Sequence, residues 1–195
     1  MNLAVIGATG YVGDAVVREL AARGHNITAF ARNPAKVLAA ANVRAVAADV
    51  TAADFAAQLA GFDAVVSAFN PGWTNPHIGR DFRAGYAAIL AAAKAAQVPY
   101  LLVVGGAGSL YVAPGVQLID TPAFPQEIYD GANAARELLR DLQARDELNW
   151  RSSRRPPALA RKRVSAKNAP ANTASARTIC CWTAMPRRAS ASPIW

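Results

Sequence analysis

Short apolar runs alternate with longer segments of helical periodicity through the first 150 residues. Each run is rich in Ala, Val, Ile or Leu and is bounded by glycine or polar residues, which predicts a buried strand. Five strands are predicted in this way, at residues 3–7, 26–32, 43–50, 63–70 and 99–108. Between them, apolar residues recur at every third or fourth position, as Val12, Val16, Val17 and Leu20 do, and this spacing predicts helices.

The predicted helices cover residues 11–25, 52–62, 81–97 and 125–150, and a short one opens at Pro34. Strands that alternate with helices form a parallel sheet covered by helices on both faces. We therefore expect an α/β fold over residues 1–150, a doubly wound parallel sheet of the Rossmann-like type.

A glycine-rich stretch, GATGYVG, lies between the first predicted strand and the first predicted helix. Its first glycine allows a tight turn, its second allows the backbone to approach a pyrophosphate, and its third allows the helix to pack closely on the sheet. The N–H groups at the start of a helix also attract anions. We therefore predict that the stretch binds a dinucleotide, the alternative being a tight turn without a ligand. The predicted contacts are Gly7, Ala8, Thr9, Gly10, Tyr11, Val12 and Gly13.

These residues make the chain similar to a known family. The opening MNLAVIGATGYVG resembles the start of the atypical short-chain dehydrogenase/reductases, in particular the NmrA-like and flavin reductase (biliverdin reductase B-like) proteins. The resemblance covers residues 1–150. It implies an NAD(P)-binding domain and an oxidoreductase activity, and it leaves the substrate open.

Arg32, at the end of the second predicted strand, bears on the choice of cofactor. An acidic residue there would accept hydrogen bonds from the ribose hydroxyls of NAD, whereas a cation suits the 2′-phosphate of NADP. We therefore predict NADP as the cofactor, with NAD as the alternative. A surface arginine at a strand end is the competing interpretation.

Further cofactor contacts are predicted where the third and fourth strands end. The resemblance places Asp49 and Val50 beside the adenine, although Asp49 could instead belong to a helix cap. Thr51 is the better N-cap candidate, because an acidic residue follows three positions later. Ala68 and Phe69 close the fourth strand, and such sheets bind ligands beyond the carboxyl ends of their strands. They are predicted to flank the cofactor.

The catalytic residue is harder to find. Classical members of the superfamily use a Tyr-x-x-x-Lys pair, but here Tyr129 is followed by Asn133, which carries no charge. Tyr129 is therefore predicted to be a packed helix residue. The resemblance places Ser109 opposite the nicotinamide, and it is the predicted catalytic residue, an ordinary loop serine being the alternative. His77 is a second proton-donor candidate, although a lone loop histidine is more often simply exposed.

Composition divides the chain at Trp150. Residues 1–150 contain all 13 acidic residues and 11 of the 21 basic ones, whereas residues 151–195 contain the other 10 basic residues and no acidic one. The net charge is thus −2 before the division and +10 after it. Such a basic segment predicts either a disordered arm for an anionic partner or the product of a shifted reading frame.

The codons that Arg151–Pro156 could use favour the shifted frame. A doubly wound sheet expects a sixth strand here, and the resembling family has one that begins Trp-Thr and continues into a hydrophobic pair followed by Ser-Pro. With CGN codons for arginine and TCN codons for serine, one base restored after Trp150 permits the reading Thr-Phe-Leu-Ser-Pro-Ala. We therefore predict that the C-terminal strand is lost, that residues 151–195 form a disordered basic tail, and that no specific nucleic acid is bound.

The predicted function is the transfer of a hydride from a nicotinamide cofactor to a flavin, bilin or quinone-like acceptor, impaired by the aberrant C-terminus. The missing Tyr-x-x-x-Lys pair favours such acceptors, because the two ring systems then supply most of the electronic work. The alternatives are a non-enzymatic NADP-binding redox sensor of the NmrA type and a sugar epimerase or dehydratase.

We expect a cytoplasmic protein that acts on a small-molecule substrate. The sequence does not predict its oligomeric state. The N-terminus lacks the pattern of a signal peptide, and no apolar run approaches the roughly 20 residues that cross a bilayer. Residues 1–150 contain no cysteine, and no metal site is predicted.

Overall fold

Eight strands are present in a computed structural model of the protein, which describes residues 1–154. In chain order they are β1 (Asn2–Ile6), β2 (Asn26–Ala31), β3 (Val43–Ala47), β4 (Ala64–Ser67), β5 (Leu101–Val104), β6 (Tyr111–Ala113), β7 (Val116–Gln117) and β8 (Trp150–Ser153). Six of them form one sheet in the order β3-β2-β1-β4-β5-β8, in which every neighbouring pair is parallel. This is the doubly wound, Rossmann-like order, which confirms the predicted fold class.

Four α-helices lie between the strands of the described part. They are α1 (Tyr11–Ala22), α2 (Phe55–Gln58), α3 (Ile78–Ala95) and α4 (Tyr129–Gln143). Three of them lie close to their predicted positions, whereas α2 is a single turn in place of the helix predicted over residues 52–62. A hydrogen bond of 3.1 Å from the Ala52 N–H to the Asp49 carbonyl closes a turn there, so the chain enters α2 later than the apolar spacing suggested.

The hydrophobic core is built around the two central strands. Residues 3–6 of β1 and residues 64–66 of β4 are at most 1% exposed. Phe82, Tyr86 and Ile89 of α3 belong to the same buried cluster as Ile6 and Val65. Because the central strands are buried on both faces, they carry the near-continuous apolar runs from which they were predicted.

The sixth strand corrects one prediction from the sequence. The C-terminal strand was expected to be lost after Trp150, yet Trp150–Ser153 pairs with β5 along its whole length. The Leu101 N–H donates to the Asn149 carbonyl at 2.9 Å, and the Gly105 N–H donates to the Ser153 carbonyl at 2.7 Å. Strand pairing is made by backbone groups, and β8 lies at the sheet edge, so an Arg-Ser-Ser sequence can still form a strand there.

The compact unit that contains this sheet ends at Arg154. The predicted disorder of the basic tail concerns residues that, beyond Arg154, lie outside the described part of the chain. The same is true of most of the segment for which a shifted reading frame was inferred.

A small hairpin after β5 was not predicted. β6 and β7 pair antiparallel, in a two-stranded sheet separate from the main one. The Pro-Gly pair at residues 114–115, flanked by short apolar stretches, is a turn signal that could have revealed it. Within residues 1–154, no helix combines the length and the apolar character that crossing a bilayer requires.

Candidate functional site

The glycine stretch lies at the carboxyl edge of the sheet, where β1 ends and α1 begins. Gly7 has a φ of +76°, and a Cβ on it would lie 2.6 Å from the Ala68 carbonyl oxygen. A Cβ on Gly13 would lie 2.0 Å from the Gly7 carbonyl oxygen. Both approaches are too close for any side chain, so the turn and the packing of α1 both require glycine.

Gly10 has a different environment from the other two glycines of the stretch. It is the exposed N-cap residue of α1, and the nearest atom to a Cβ on it would be the Gly7 carbonyl oxygen at 3.3 Å. No side chain caps this helix, so none competes with an anion for its first turn. Thr9 and Tyr11 beside it are also exposed. A backbone cradle at the positive end of a helix dipole fits the pyrophosphate of a dinucleotide.

The loops that follow β1 and β4 touch each other at the point where the strand order reverses. The Ala68 N–H donates to the Ile6 carbonyl at 2.9 Å, which places the half-buried Ala68 beside the glycine turn. In doubly wound sheets the crevice at this reversal is where ligands bind. The predicted contacts Gly7 and Ala68 are therefore brought together by the fold.

Phe69 turns its ring away from that crevice. Its backbone nitrogen adjoins Gly7, but the ring packs on α3 in the space that Gly85 leaves free, where a Cβ would lie 2.3 Å from the ring. The ring also makes a T-shaped contact with Tyr86, at a centroid distance of 5.7 Å. Phe69 thus offers backbone atoms to the crevice, while its aromatic face belongs to the core.

Arg32 and Asp49 lie at the carboxyl ends of neighbouring strands, and both are exposed. The Asp49 carboxylate accepts hydrogen bonds from the Thr51 N–H at 2.9 Å and the Thr51 hydroxyl at 2.7 Å. These bonds, with a smaller contribution from the charge of Arg32, hold the pKa of Asp49 below its ordinary value. Arg32 forms no ion pair with any residue in 1–154, so its guanidinium is available to an anionic ligand.

The turn after β3 shows that the N-cap prediction was wrong. The residue that precedes α2 is Asp54, and the Thr51 hydroxyl is already bound to Asp49. A carboxylate two residues away is a nearby and strong acceptor, so it competes successfully with the helix for this hydroxyl. Val50 is half-buried against the core. The contacts of Asp49 and Val50 with adenine stay predictions.

Ser109 lies just after β5, in a short 3-10 helix over Ala107–Ser109, and is 3% exposed. Its hydroxyl donates to the Gly106 carbonyl at 3.1 Å. Its own carbonyl accepts from Gln117 and from Arg154, each at 3.3 Å. The backbone of Ser109 is therefore held from both sides, and its hydroxyl must rotate away from Gly106 before it can meet a substrate.

Tyr129 and Asn133 both have structural roles in α4. Tyr129 begins α4, is half-buried and packs against Phe124 at a centroid distance of 6.3 Å, as expected of a packed helix residue. Both amide atoms of Asn133 are used: the nitrogen donates to Glu137 at 2.8 Å, and the oxygen accepts from Arg136 at 2.6 Å. Asn133 therefore ties α4 together.

Sequence reasoning missed a network of polar side chains around Asn133, here called the α4 network. Its members are Arg83, Asp120, Asn133, Arg136 and Glu137. Arg83 of α3 pairs with Glu137 at 2.5 Å, and Arg136 pairs with Asp120 at 2.5 Å, so the network joins α3, α4 and the loop after β7. Only the spacing of the three α4 members was visible in the sequence. Their partners are 54 and 16 residues away.

Three more residues complete the description of this edge of the sheet. The side-chain oxygen of Gln117 is buried and has no hydrogen-bond partner, a costly state next to Ser109. Trp73, in the loop after β4, is 57% exposed. His77 is exposed just before α3, and its backbone N–H donates to the Asn75 side chain at 2.9 Å. Trp73 and Gln117 carried no sequence signal beyond residue type.

Comparison with known proteins gives consistent matches. A family described as NAD(P)H-binding matches residues 7–174. The uncharacterised protein YwnB of Bacillus subtilis strain 168 is 41% identical over 157 residues, which cover 77% of this chain and 69% of YwnB. Among solved structures, a candidate epimerase from Bacteroides thetaiotaomicron is 36% identical, with a TM-score of 0.72 and coverage of 78% of this chain and 69% of its own. A candidate NADH-flavin reductase from Streptococcus pneumoniae is 36% identical, with a TM-score of 0.67 and coverage of 79% and 71%.

Proposed function

The chain belongs to the NAD(P)H-binding family, and from this premise we propose that it is an NADPH-dependent reductase of the flavin reductase type. The observation that carries the proposal is the glycine cradle at the strand-order reversal, with the exposed Arg32 at the end of the neighbouring strand β2. The name of the Streptococcus pneumoniae relative supports the reductase class. The acceptor is proposed to be a flavin, bilin or quinone-like ring.

Each part of the carboxyl edge has a proposed role in holding the cofactor. The stretch from Gly7 to Gly13 binds the pyrophosphate through its backbone and the end of the α1 dipole. The Arg32 guanidinium pairs with the 2′-phosphate, which a fork of N–H donors suits better than ribose hydroxyls. Asp49 and Val50 border the adenine, and Ala68 with the backbone of Phe69 lines the crevice toward the nicotinamide.

The chemistry asks little of the side chains. When bound, the cofactor supplies a hydride, which transfers two electrons to the acceptor ring, and a proton from solvent completes the reduction. No Tyr-Lys pair is needed for this, since the redox chemistry resides in the two ring systems and the protein holds them together. Ser109 is proposed to donate a hydrogen bond to the acceptor once its hydroxyl leaves Gly106.

The direct test is the anaerobic reduction of FMN by NADPH in the presence of the chain. We expect loss of the reduced nicotinamide absorbance together with bleaching of the flavin, and a slower reaction with NADH. Gly10→Val is the matched control, because a branched side chain in the cradle should abolish the reaction without reaching the acceptor. Tight binding of NADPH without turnover of any flavin, bilin or quinone would contradict the proposal and support a redox sensor of the NmrA type.

A second candidate function is sugar epimerisation or dehydration, which the name of the Bacteroides thetaiotaomicron relative favours. Such a reaction would convert a nucleotide sugar with no net change in the nicotinamide. The side chain of Asn133, bound at both ends within α4, argues against it, because that chemistry in the superfamily relies on a lysine at this position. Incubation with a nucleotide sugar and NAD separates the two functions.

We also propose that the segment after Trp150 is read in a shifted frame and that this impairs the activity. The DNA sequence around codon 151 and a variant with one base restored there provide the test. We expect the restored protein to reduce flavin faster and to be more soluble. Equal activity and solubility of the two proteins would contradict the proposed impairment.

A further inference from the structure

The loop between β4 and α3 presents a single large aromatic side chain to solvent, that of Trp73. Phe69, the other aromatic residue that follows β4, is turned into the core against Gly85 and Tyr86. Trp73 is 57% exposed, although a tryptophan ring is among the side chains that gain most from burial. An exposed tryptophan at the ligand-binding edge of a doubly wound sheet therefore needs an explanation.

The loop that carries Trp73 is ordered by its own hydrogen bonds. The Asn70 side chain accepts from the Gly72 N–H at 2.8 Å, and the Asn75 side chain donates to Asp81 of α3 at 2.8 Å. Gly72 has a φ of +115°, a conformation that turns the chain directly before Trp73 and that other residues rarely adopt. These bonds fix the backbone on both sides of the tryptophan.

One edge of the Trp73 ring rests on the first turn of α4. A Cβ on Gly131 would lie 2.9 Å from the ring, so the missing side chain of Gly131 makes the seat. The next residue, Ala132, packs beside Gly108, which directly precedes Ser109. Adjacent residues of one helical turn thus support the loop with Trp73 and the loop with the candidate catalytic serine.

The position of Trp73 along the chain keeps it near the crevice. It follows Ala68 by five residues, a stretch that spans at most about 18 Å when fully extended. Ala68 itself adjoins Gly7, in the cradle proposed for the dinucleotide. The backbone of Trp73 therefore lies within about 18 Å of the residue that adjoins this cradle.

We propose that Trp73 determines acceptor specificity by stacking on the face of a planar, uncharged ring system such as an isoalloxazine. This inference rests on the proposed reductase function and adds to it the residue that selects the acceptor. Aromatic stacking in an offset or edge-to-face geometry favours large flat rings over small aliphatic carbonyl compounds. The side chain positions the acceptor and takes no part in the transfer of electrons or protons.

The test measures binding and turnover separately. Riboflavin is the probe for binding, because it lacks the phosphate that the basic residues 151–195 would attract, and its fluorescence is quenched by stacking on tryptophan. With saturating NADP, we expect Trp73→Ala to weaken riboflavin binding about three- to tenfold. Trp73→Phe, which keeps an aromatic face, should stay within about twofold of the unaltered protein. The NADPH dissociation constant should be unchanged in both variants, which also shows that they fold.

Tyr111→Ala is the matched control, since Tyr111 is a comparably exposed aromatic residue on the separate hairpin. An equal loss of riboflavin affinity in this variant, or unchanged affinity in Trp73→Ala, would overturn the inference. So would an unaltered protein that binds no riboflavin at all. Riboflavin binding that depends on Trp73 without any turnover would leave the inference standing and refute the proposed reductase function instead.

Discussion

The two sides of the crevice are stabilised in different ways. On the cofactor side, backbone meets backbone: Gly13 lies against the Gly7 carbonyl, and Gly7 lies against Ala68, with no room for a side chain. On the side proposed for the acceptor, the loop after β5 is also tied by side chains, through the pair of Arg136 with Asp120 and the bonds to the Ser109 carbonyl. The first arrangement requires residues without side chains. The second requires charged and polar side chains that are distant in sequence to come into contact.

The difference extends to how completely each side is satisfied. The glycine turn closes its own hydrogen bonds, with the Gly10 N–H on the Gly7 carbonyl at 3.0 Å and the Asp14 N–H on the Gly10 carbonyl at 2.8 Å. The loop after β5, by contrast, keeps a buried, unpaired side-chain oxygen on Gln117. We infer that the glycine turn is rigid and that local opening is concentrated in the loop after β5.

The largest loss of stability is expected when a side chain is placed in the backbone contact between Gly7 and Gly13. Gly13→Ala should lower the free energy of unfolding by about 3 kcal/mol, the upper end for overpacking, because its Cβ would displace the Gly7 carbonyl. Gly24→Ala is the control, since Gly24 has a φ of +76° but no neighbour within 4 Å, and it should cost only about 1 kcal/mol. Urea denaturation measures both values. Gly13 has no positive φ, so equal losses would contradict the large cost expected of its close packing.

Cofactor selectivity sharpens the same comparison at the end of β2. Arg32→Ala should weaken NADPH binding roughly tenfold to a hundredfold, the value of a charged hydrogen bond of about 1.5–3 kcal/mol, and should leave NADH binding nearly unchanged. Lys36→Ala, which removes an exposed cation four residues away, should change neither affinity by much. Isothermal titration with both nucleotides provides the measurement. A similar loss for NADPH and NADH would reject the 2′-phosphate assignment.

The acceptor side should respond to the loss of one ion pair. Arg136→Ala removes a guanidinium that is only 12% exposed and frees Asp120, so the free energy of unfolding should fall by about 1–2 kcal/mol. Hydrogen exchange should accelerate across residues 111–121 while the glycine turn stays protected. Arg145→Ala, at an exposed pair with Glu147, should cost less than about 0.5 kcal/mol. Uniform acceleration over both sides of the crevice would contradict the proposed difference in rigidity.

The smallest expected effect is a loss of stability at acidic pH, when Glu137 becomes protonated. The hydrogen bond from Arg83, with its charge, holds the pKa of Glu137 below the ordinary value of 4.5. The ionised carboxylate therefore stabilises the fold above pH 4.5, and this stabilisation is lost as the pH falls from there through the lowered pKa. Glu137→Gln should be slightly less stable at neutral pH and should approach the unaltered protein in acid. Stability curves that stay parallel across this range would exclude a role for Glu137 in acid sensitivity.

The α/β fold and the cradle were predictable because their signals are local. Buried parallel strands need continuous apolar runs, and a strand–turn–helix with a pyrophosphate site needs glycines at fixed spacing, so both leave marks in a few adjacent residues. Gly7 and Gly13 could be identified without knowing their neighbours. The neighbours proved to be backbone atoms that any sequence would provide.

The sixth strand was not predicted, because it has no local signal in the sequence. The polar residues of β8 carry no strand pattern, and side-chain pattern was the only information that the sequence offered about this segment. The backbone of β5 offered unpaired groups at a sheet edge, and residues 150–153 satisfy them although Trp150 is their only apolar side chain. Only the assembled sheet could show this partner.

Side-chain directions and long-range pairs were likewise decided by the tertiary structure. Position alone placed Phe69 at the crevice, but Gly85 leaves a space on α3 that the Phe69 ring fills. Trp73 is therefore the exposed aromatic residue of the loop between β4 and α3. The sequence showed that Asn133 replaces the lysine of the Tyr-x-x-x-Lys pair. Only the structure showed that its partners Arg136 and Glu137 form ion pairs with Asp120 and Arg83. The sequence by itself determined the buried strands and the glycine turn, since both follow from local chain geometry. The α4 network depends on contacts between residues up to 54 positions apart, which form only once the sheet has brought them together.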